Sequence, residues 1–158
     1  MNASIRTGLF FGLTSGVITT LGLLVGLQAG TQSQQAVIGG ILIIAVADAM
    51  SDAMGIHLSE EASEHSNHTD VWAATITTFF AKFLTSLSFV APVALLPAHY
   101  AVIASVIWGA LLLTALSIAL GRLQGNKPWL IVFEHLTIAA VVVLASHFIG
   151  VWVATLFS

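Results

Sequence analysis

Two carboxylates, Asp48 and Asp52, stand one helical turn apart in a largely apolar stretch from Val37 to Glu61, which then empties into the run SEEASEHSNHTD. A charge at mid-membrane depth costs roughly 3 kcal/mol or more, so an intramembrane Asp pair needs a reason to persist. Cation binding supplies one. On an ideal helix the two side chains lie about 40° apart, so both can face one cavity and share one divalent ion or one proton. Oxygen ligands favour Mn2+, Fe2+, Mg2+ or Ca2+, and a thioether from the flanking Met50 or Met54 would shift the preference towards softer transition metals; Ser51 adds a hydroxyl beside them. The competing reading pairs one Asp with Lys82, the one basic residue deep inside an apolar run, as a strut between helices. One lysine does not neutralise two carboxylates, which favours the cation site.

A second group follows. On a continuous helix His57, Glu61, Glu64 and His68 fall within about 60° of one another, and Glu60 and His65 lie beside them, so His57, Glu60, Glu61, Glu64, His65 and His68 make a metal-gathering face. The alternative is a solvated acidic loop that keeps a short connection out of the bilayer. His57 is about 180° from Asp48 on the same helix, so the two groups are separate sites. Glu134 and His147 are possible proton-path residues; a carboxylate near a helix N-terminus is also favoured by the dipole, and a membrane histidine can simply hydrogen-bond between helices. His135 reads as structural, and His99, beside Pro97, as an exposed loop residue.

The elements that must position these groups follow from hydropathy. Of the 158 residues 7% are charged and 58% hydrophobic, and the mean hydropathy is +1.01. Such a chain has too little polar surface for a water-soluble domain and reads as a polytopic membrane protein. Crossings of about 20 residues each leave room for roughly five and no separate soluble domain. Apolar runs bounded by turn signals predict helices at 7–28, 35–58, 71–96, 100–122 and 129–157, with 59–70 a short acidic, His-rich loop. The expected fold is therefore an all-α membrane protein, one domain over 1–158 with five transmembrane helices. MNASIR is too short and too weakly charged for the n-region of a cleaved signal peptide, so the first run is taken as a true crossing. Arg6, Arg122 and Lys127 fall on one face of a five-helix topology, and the positive-inside rule places the N-terminus and the His-rich loop in the cytoplasm, with the C-terminus outside or in a lumen.

Gly8, Gly12 and Gly16, then Gly22, Gly26 and Gly30, strip one side of each half of the first helix, which predicts close helix approach either within the chain or between subunits. Pro92 and Pro97 predict a kink and a stop in the third helix. There is no cysteine, so any metal is held by oxygen and imidazole. No nucleotide-binding loop, GxSxG elbow, HExxH or dinucleotide fingerprint is present, which speaks against an enzyme and against nucleotide-driven pumping within this chain. The expected partners are the lipid bilayer, metal ions and protons, with no nucleic acid and no permanently bound cofactor.

The order of motifs resembles the vacuolar iron transporter family, with its nodulin-like members. GLTSGVITTLGLLVGL is similar to that family's first-helix motif, and AVIGGILIIAVADAMSDAMGIHLSEEAS to its second helix, where Ser-Met precedes Gly-Glu-Tyr. The third helix with Pro92, ALGRLQGNKPW and FEHLTIAAVVVLASHFIG follow in the same order and spacing. The resemblance implies a homodimer of five-helix subunits with an ion path at the dimer interface, moving Fe2+ or Mn2+ out of the cytoplasm in exchange for protons. It also implies that the twelve residues after the second helix stand where the family carries a longer metal-binding segment. The family's first-helix Asp falls on Ser15, its second-helix Met on Asp52 and the Glu of Gly-Glu-Tyr on Ile56, while Ser51 and Gly55 keep their motif identities. A carboxylate is thus lost from helix one and gained in helix two.

The expected function is proton-coupled transport of a divalent transition metal, with Asp48 and Asp52 as the intramembrane cation and proton site, Ser51 and Met54 beside them, and Thr14 and Ser15 facing them. The expected setting is a prokaryotic cell membrane, or a vacuolar-type membrane in a eukaryote. A channel without proton coupling would use the same residues. The rival reading is a non-transporting assembly partner in which the Asp residues and Lys82 form a structural ion pair.

Overall fold

The computed structural model describes residues 3–63, 67–125 and 127–157, and Glu64 and His65 of the expected metal-gathering face lie outside them. The chain forms α1 (Ala3–Thr31), α2 (Gln34–Glu61), α3 (His68–Ser88), α4 (Val90–Leu95), α5 (Ala98–Gln124) and α6 (Pro128–Phe157). α3 and α4 together make one span, so five helical segments are long and apolar enough to cross a membrane. This is the composition of a multi-pass membrane protein, and bulky apolar side chains such as Ile43, Phe133 and Phe148 point outward, as a lipid-facing surface requires.

The helices extend past the apolar runs because local chemistry caps them. Ser33 Oγ accepts from the Ala36 amide at 3.2 Å and starts α2, and Asn67 Oδ1 accepts from the Asp70 amide at 3.0 Å and starts α3. Gly125, with φ 68°, closes α5 in the left-handed conformation. At the other end of α2 the helix runs through Ser59, Glu60 and Glu61, so the loop expected over 59–70 shrinks to a short link between Ala62 and Asn67. Pro92 has no N–H to offer Ser88 and its ring crowds that carbonyl, which interrupts the hydrogen-bond ladder of the third span at Phe89, whose backbone stays right-handed helical at φ −76° and ψ −13°. Phe89 itself is fully buried. Trp108 Nε1 donates to Ser88 Oγ at 3.0 Å, which holds the broken end against α5, while the Gln34 amide donates to the Val93 carbonyl and pins the start of α2 to α4.

α1 is the centre of the bundle, packed against α2, α3, α5 and α6. Its two glycine sets face different neighbours inside the same chain. Gly8, Gly12 and Gly16 lie against α3, and Gly22, Gly26 and Gly30 lie against α6. Each half of α1 therefore gives its bare backbone to one helix of the same chain. Gly26 meets Ser146 and Gly30 meets Gly150, so α1 and α6 run parallel and the two chain ends lie at opposite ends of the bundle. Arg6, Arg122 and Lys127 share one end.

The α1–α3 contact leaves no room for a methyl group: a Cβ on Gly12 would stand 2.6 Å from the Thr78 carbonyl oxygen and 2.9 Å from Ala81 Cβ. Gly39, by contrast, has nothing within 4 Å of a Cβ. Gly12→Ala is expected to cost on the order of 1–3 kcal/mol of stability because backbone must move, and Gly39→Ala to cost nothing measurable. Thermal unfolding of the two variants in one detergent checks the difference.

Candidate functional site

The α1–α3 contact sets the depth and register at which α3 presents Lys82 to α1 and α2. Lys82 is fully buried. Its Nζ lies 2.6 Å from Asp48 Oδ2 and 2.5 Å from Asp52 Oδ2, and it donates to Ser15 Oγ at 2.9 Å. Ser15 Oγ in turn donates to Asp52 Oδ2 at 2.7 Å. An ammonium has three N–H donors and no acceptor; here Ser15 and Asp52 accept hydrogen bonds, and Asp48 stands in ion-pair contact. The expected choice between an Asp pair and an Asp–Lys strut is therefore not the one the fold makes: Lys82 engages both carboxylates at once. One turn of helix α2 brings the two carboxylates within reach of one ammonium, which is why a single lysine serves both.

The group has two negative charges and one positive. Its net charge is one negative, held about 18 Å along α1 from Ala3 and about 24 Å from Thr31. The carboxylates are not sealed as the lysine is: the side chain of Asp48 is 32% exposed and that of Asp52 21%. Their open side lies on the α2 face that carries Ala47, Ser51 and Gly55, all exposed. Next to the triad, Thr20 donates to Ser86 at 3.0 Å in the buried α1–α3 seam, a bond that fixes the two helices in rotation.

The other expected residues divide. Ser15 hydrogen-bonds to two members of the Asp48–Asp52–Lys82 triad, whereas Thr14 makes no hydrogen bond to either carboxylate among the described residues. Ser51 and Met54 are exposed on α2 and touch neither Lys82 nor Ser15 by hydrogen bond. The Nδ1 of His57 pairs with Thr75 Oγ1 at 2.9 Å, and its ring makes a T-shaped contact with Trp72, centroids 4.9 Å apart. Its Nε2 stands 3.9 Å from Glu61, a loose contact across one turn. His68 accepts from Trp72 Nε1 at 3.3 Å. Among the described residues no three His, Asp or Glu side chains gather as a metal site. α2 ends at Glu61 and α3 starts at His68, so the described members of the expected face, His57, Glu60, Glu61 and His68, lie on two helices.

Glu134 and His147 stand on α6, which packs on α1 and α5 and is separated from α2 and α3 by α1. Both are exposed. His147 lies beside residues 26–30 of α1 rather than at mid-depth, roughly 18 Å along the axis from Ser15. His135 is tied into the bundle by Ser117, whose Oγ lies 2.8 Å from Nδ1. Neither Glu134 nor His147 lines the triad.

Removing the ammonium alone leaves two facing carboxylates in an apolar setting. Lys82→Met is expected to lower stability by about 3 kcal/mol at neutral pH, and adding Asp48→Asn and Asp52→Asn to it to recover most of that loss, because breaking a buried ion pair costs more than replacing all its members. Thermal melts of the single and triple variants in detergent test the ordering.

No family model and no curated protein matches this chain.

Proposed function

We propose that the protein is a multi-pass membrane transporter that exchanges a divalent transition metal, Fe2+ or Mn2+, for protons, with Asp48, Asp52 and Lys82 as its exchange site. One observation carries this reading: an intramembrane group of net charge minus one whose carboxylates remain partly open. An unbalanced charge facing hydrocarbon is costly, so the open side favours water, an ion or a second copy of the chain over lipid. With the Lys82 ammonium seated, the pair has one negative charge left and takes one proton. With the ammonium withdrawn or its proton lost, the two carboxylates present the charge that a divalent cation neutralises. Lys82 is thus a built-in competitor for the metal, and its proton is the currency of exchange. Asp52, held by Ser15, keeps one carboxylate in place while Asp48, the more exposed of the two, meets the incoming ion.

The cationic end of the bundle with Arg6, Arg122 and Lys127 supports a cytoplasmic N-terminus by the positive-inside rule. The exposed small residues Ala47, Ser51 and Gly55 beside the carboxylates support a homodimer whose partner closes the path, since small residues let helices approach. The direction of transport, out of the cytoplasm, and the choice of iron or manganese rest on the resemblance of the motif order to vacuolar iron transporters.

The complete engagement of the Lys82 ammonium favours a second reading, in which the triad is a strut within a membrane assembly subunit. Flux separates the two. Fe2+ and Mn2+ uptake into proteoliposomes is measured with and without an opposing pH gradient, for the native chain and for the neutral triple variant Asp48→Asn, Asp52→Asn, Lys82→Met. Transport predicts native flux that follows the gradient and at least a hundredfold loss in the folded triple variant. Native vesicles that pass neither metal under any gradient would give the strut reading the field, and flux indifferent to the gradient would make the protein a channel.

A further inference from the structure

At the end of the bundle remote from His57, a cavity of about 540 Å3 opens between α1, α5 and α6. Its lining is apolar except for four side chains, Gln28 and Gln32 from α1, His99 from α5 and His147 from α6. None of the four hydrogen-bonds to another described protein group, and the two histidine rings meet only their sequence neighbours Tyr100 and Phe148. Three helices thus place two imidazoles and two amides around one pocket in a chain where polar side chains are scarce. The position is set by the glycine contacts: Gly26 against Ser146 and Gly30 against Gly150 bring His147 level with the last turns of α1, and His99 is the second residue of α5.

We propose that this cavity binds one borderline divalent cation, of the Co2+, Ni2+ or Zn2+ type, through the imidazoles of His99 and His147, with an amide oxygen of Gln28 or Gln32 and water completing the shell. Imidazole nitrogen is a preferred donor for these ions, whereas Mg2+ and Ca2+ select anionic oxygens, and no carboxylate lines the pocket. A donor set without negative charge binds reversibly rather than permanently. The bound ion would join the start of α5 to α1 and α6 across an otherwise open pocket, so binding stabilises the fold. The site lies across α1 from the triad, and the proposal does not rest on the transport reading.

The test uses the full chain in detergent with any affinity tag removed, titrated with Co2+ while the visible ligand-field bands are recorded, and melted with and without Ni2+. The native chain and the neutral triple variant at the triad should both bind Co2+ with nitrogen-type bands and both melt higher with Ni2+. His99→Ala combined with His147→Ala should weaken Co2+ at least tenfold and abolish the rise in Tm. Both side chains are exposed, so this variant should melt like the native chain without metal. His57→Ala with His68→Ala should leave binding unchanged. Co2+ affinity and the Ni2+ effect that survive loss of His99 and His147, or a native chain that shows neither, overturn the proposal. Loss of both only in the triad variant would do so too, by assigning the metal to Asp48 and Asp52.

Discussion

A lysine ammonium cannot stay in an apolar bundle without oxygen partners and counter-charge, and the arrangement of α1, α2 and α3 meets that demand at Lys82. Asp52 and Ser15 accept hydrogen bonds from it, and Asp48 pairs with its charge. Their convergence requires α2 to turn the face carrying both carboxylates towards α3, and α1 to bring Ser15 to the same depth. Helix rotation is thus constrained by hydrogen bonding, in a bundle where apolar contact alone is nearly indifferent to rotation because lipid is as apolar as the helix surfaces. The same arrangement leaves a negative charge over. A purely structural strut would be better served by equal numbers of each sign, and that imbalance, together with the open sides of the carboxylates, is what gives the site chemical capacity.

Close backbone approach makes the convergence possible. Lysine is long, but a triad in which Ser15 also participates needs α1 and α3 nearer than ordinary side chains allow. Gly8, Gly12 and Gly16 clear that space one turn at a time, ending one residue from Ser15. The seam is sealed by short hydroxyl side chains that satisfy themselves: Thr78 and Thr85 donate to carbonyls four residues back within α3, and Thr20 pairs with Ser86 across the seam. Polar atoms are therefore present throughout the α1–α3 contact without demanding water.

Much of the architecture is legible in the sequence because a membrane imposes one rule, that apolar runs of sufficient length become helices. All five spans overlap the runs that hydropathy picks out, and most ends move outward by a few residues at most; Ser33, Asn67 and Gly125 cap just beyond the apolar runs. Pro92 announces its break, and Asp48, Asp52, Ser15 and Lys82 are each conspicuous. Their assembly is not legible, since whether Lys82 meets one carboxylate or both depends on the register of α3 against α1, a tertiary quantity. The His-rich segment misleads for a related reason: periodicity over 57–68 treats as one helix what Ala62–Asn67 divides into two. His99 reads as a loop residue because Pro97 stands just before it, whereas α5 starts at Ala98 and takes His99 into its first turn.

The division of α1 between two partners also shapes how the protein comes into being. α1 precedes both partners in the chain, so it presents Gly8 to Gly16 to lipid until α3 is made, and Gly22 to Gly30 until α6 arrives with Ser146 and Gly150. Contacts this distant in sequence close late. During synthesis the upper half of α1 is therefore an exposed, side-chain-poor surface open to the wrong helix. The α1–α6 seam therefore closes only after the four intervening elements have been made, which makes α6 the latch of the bundle.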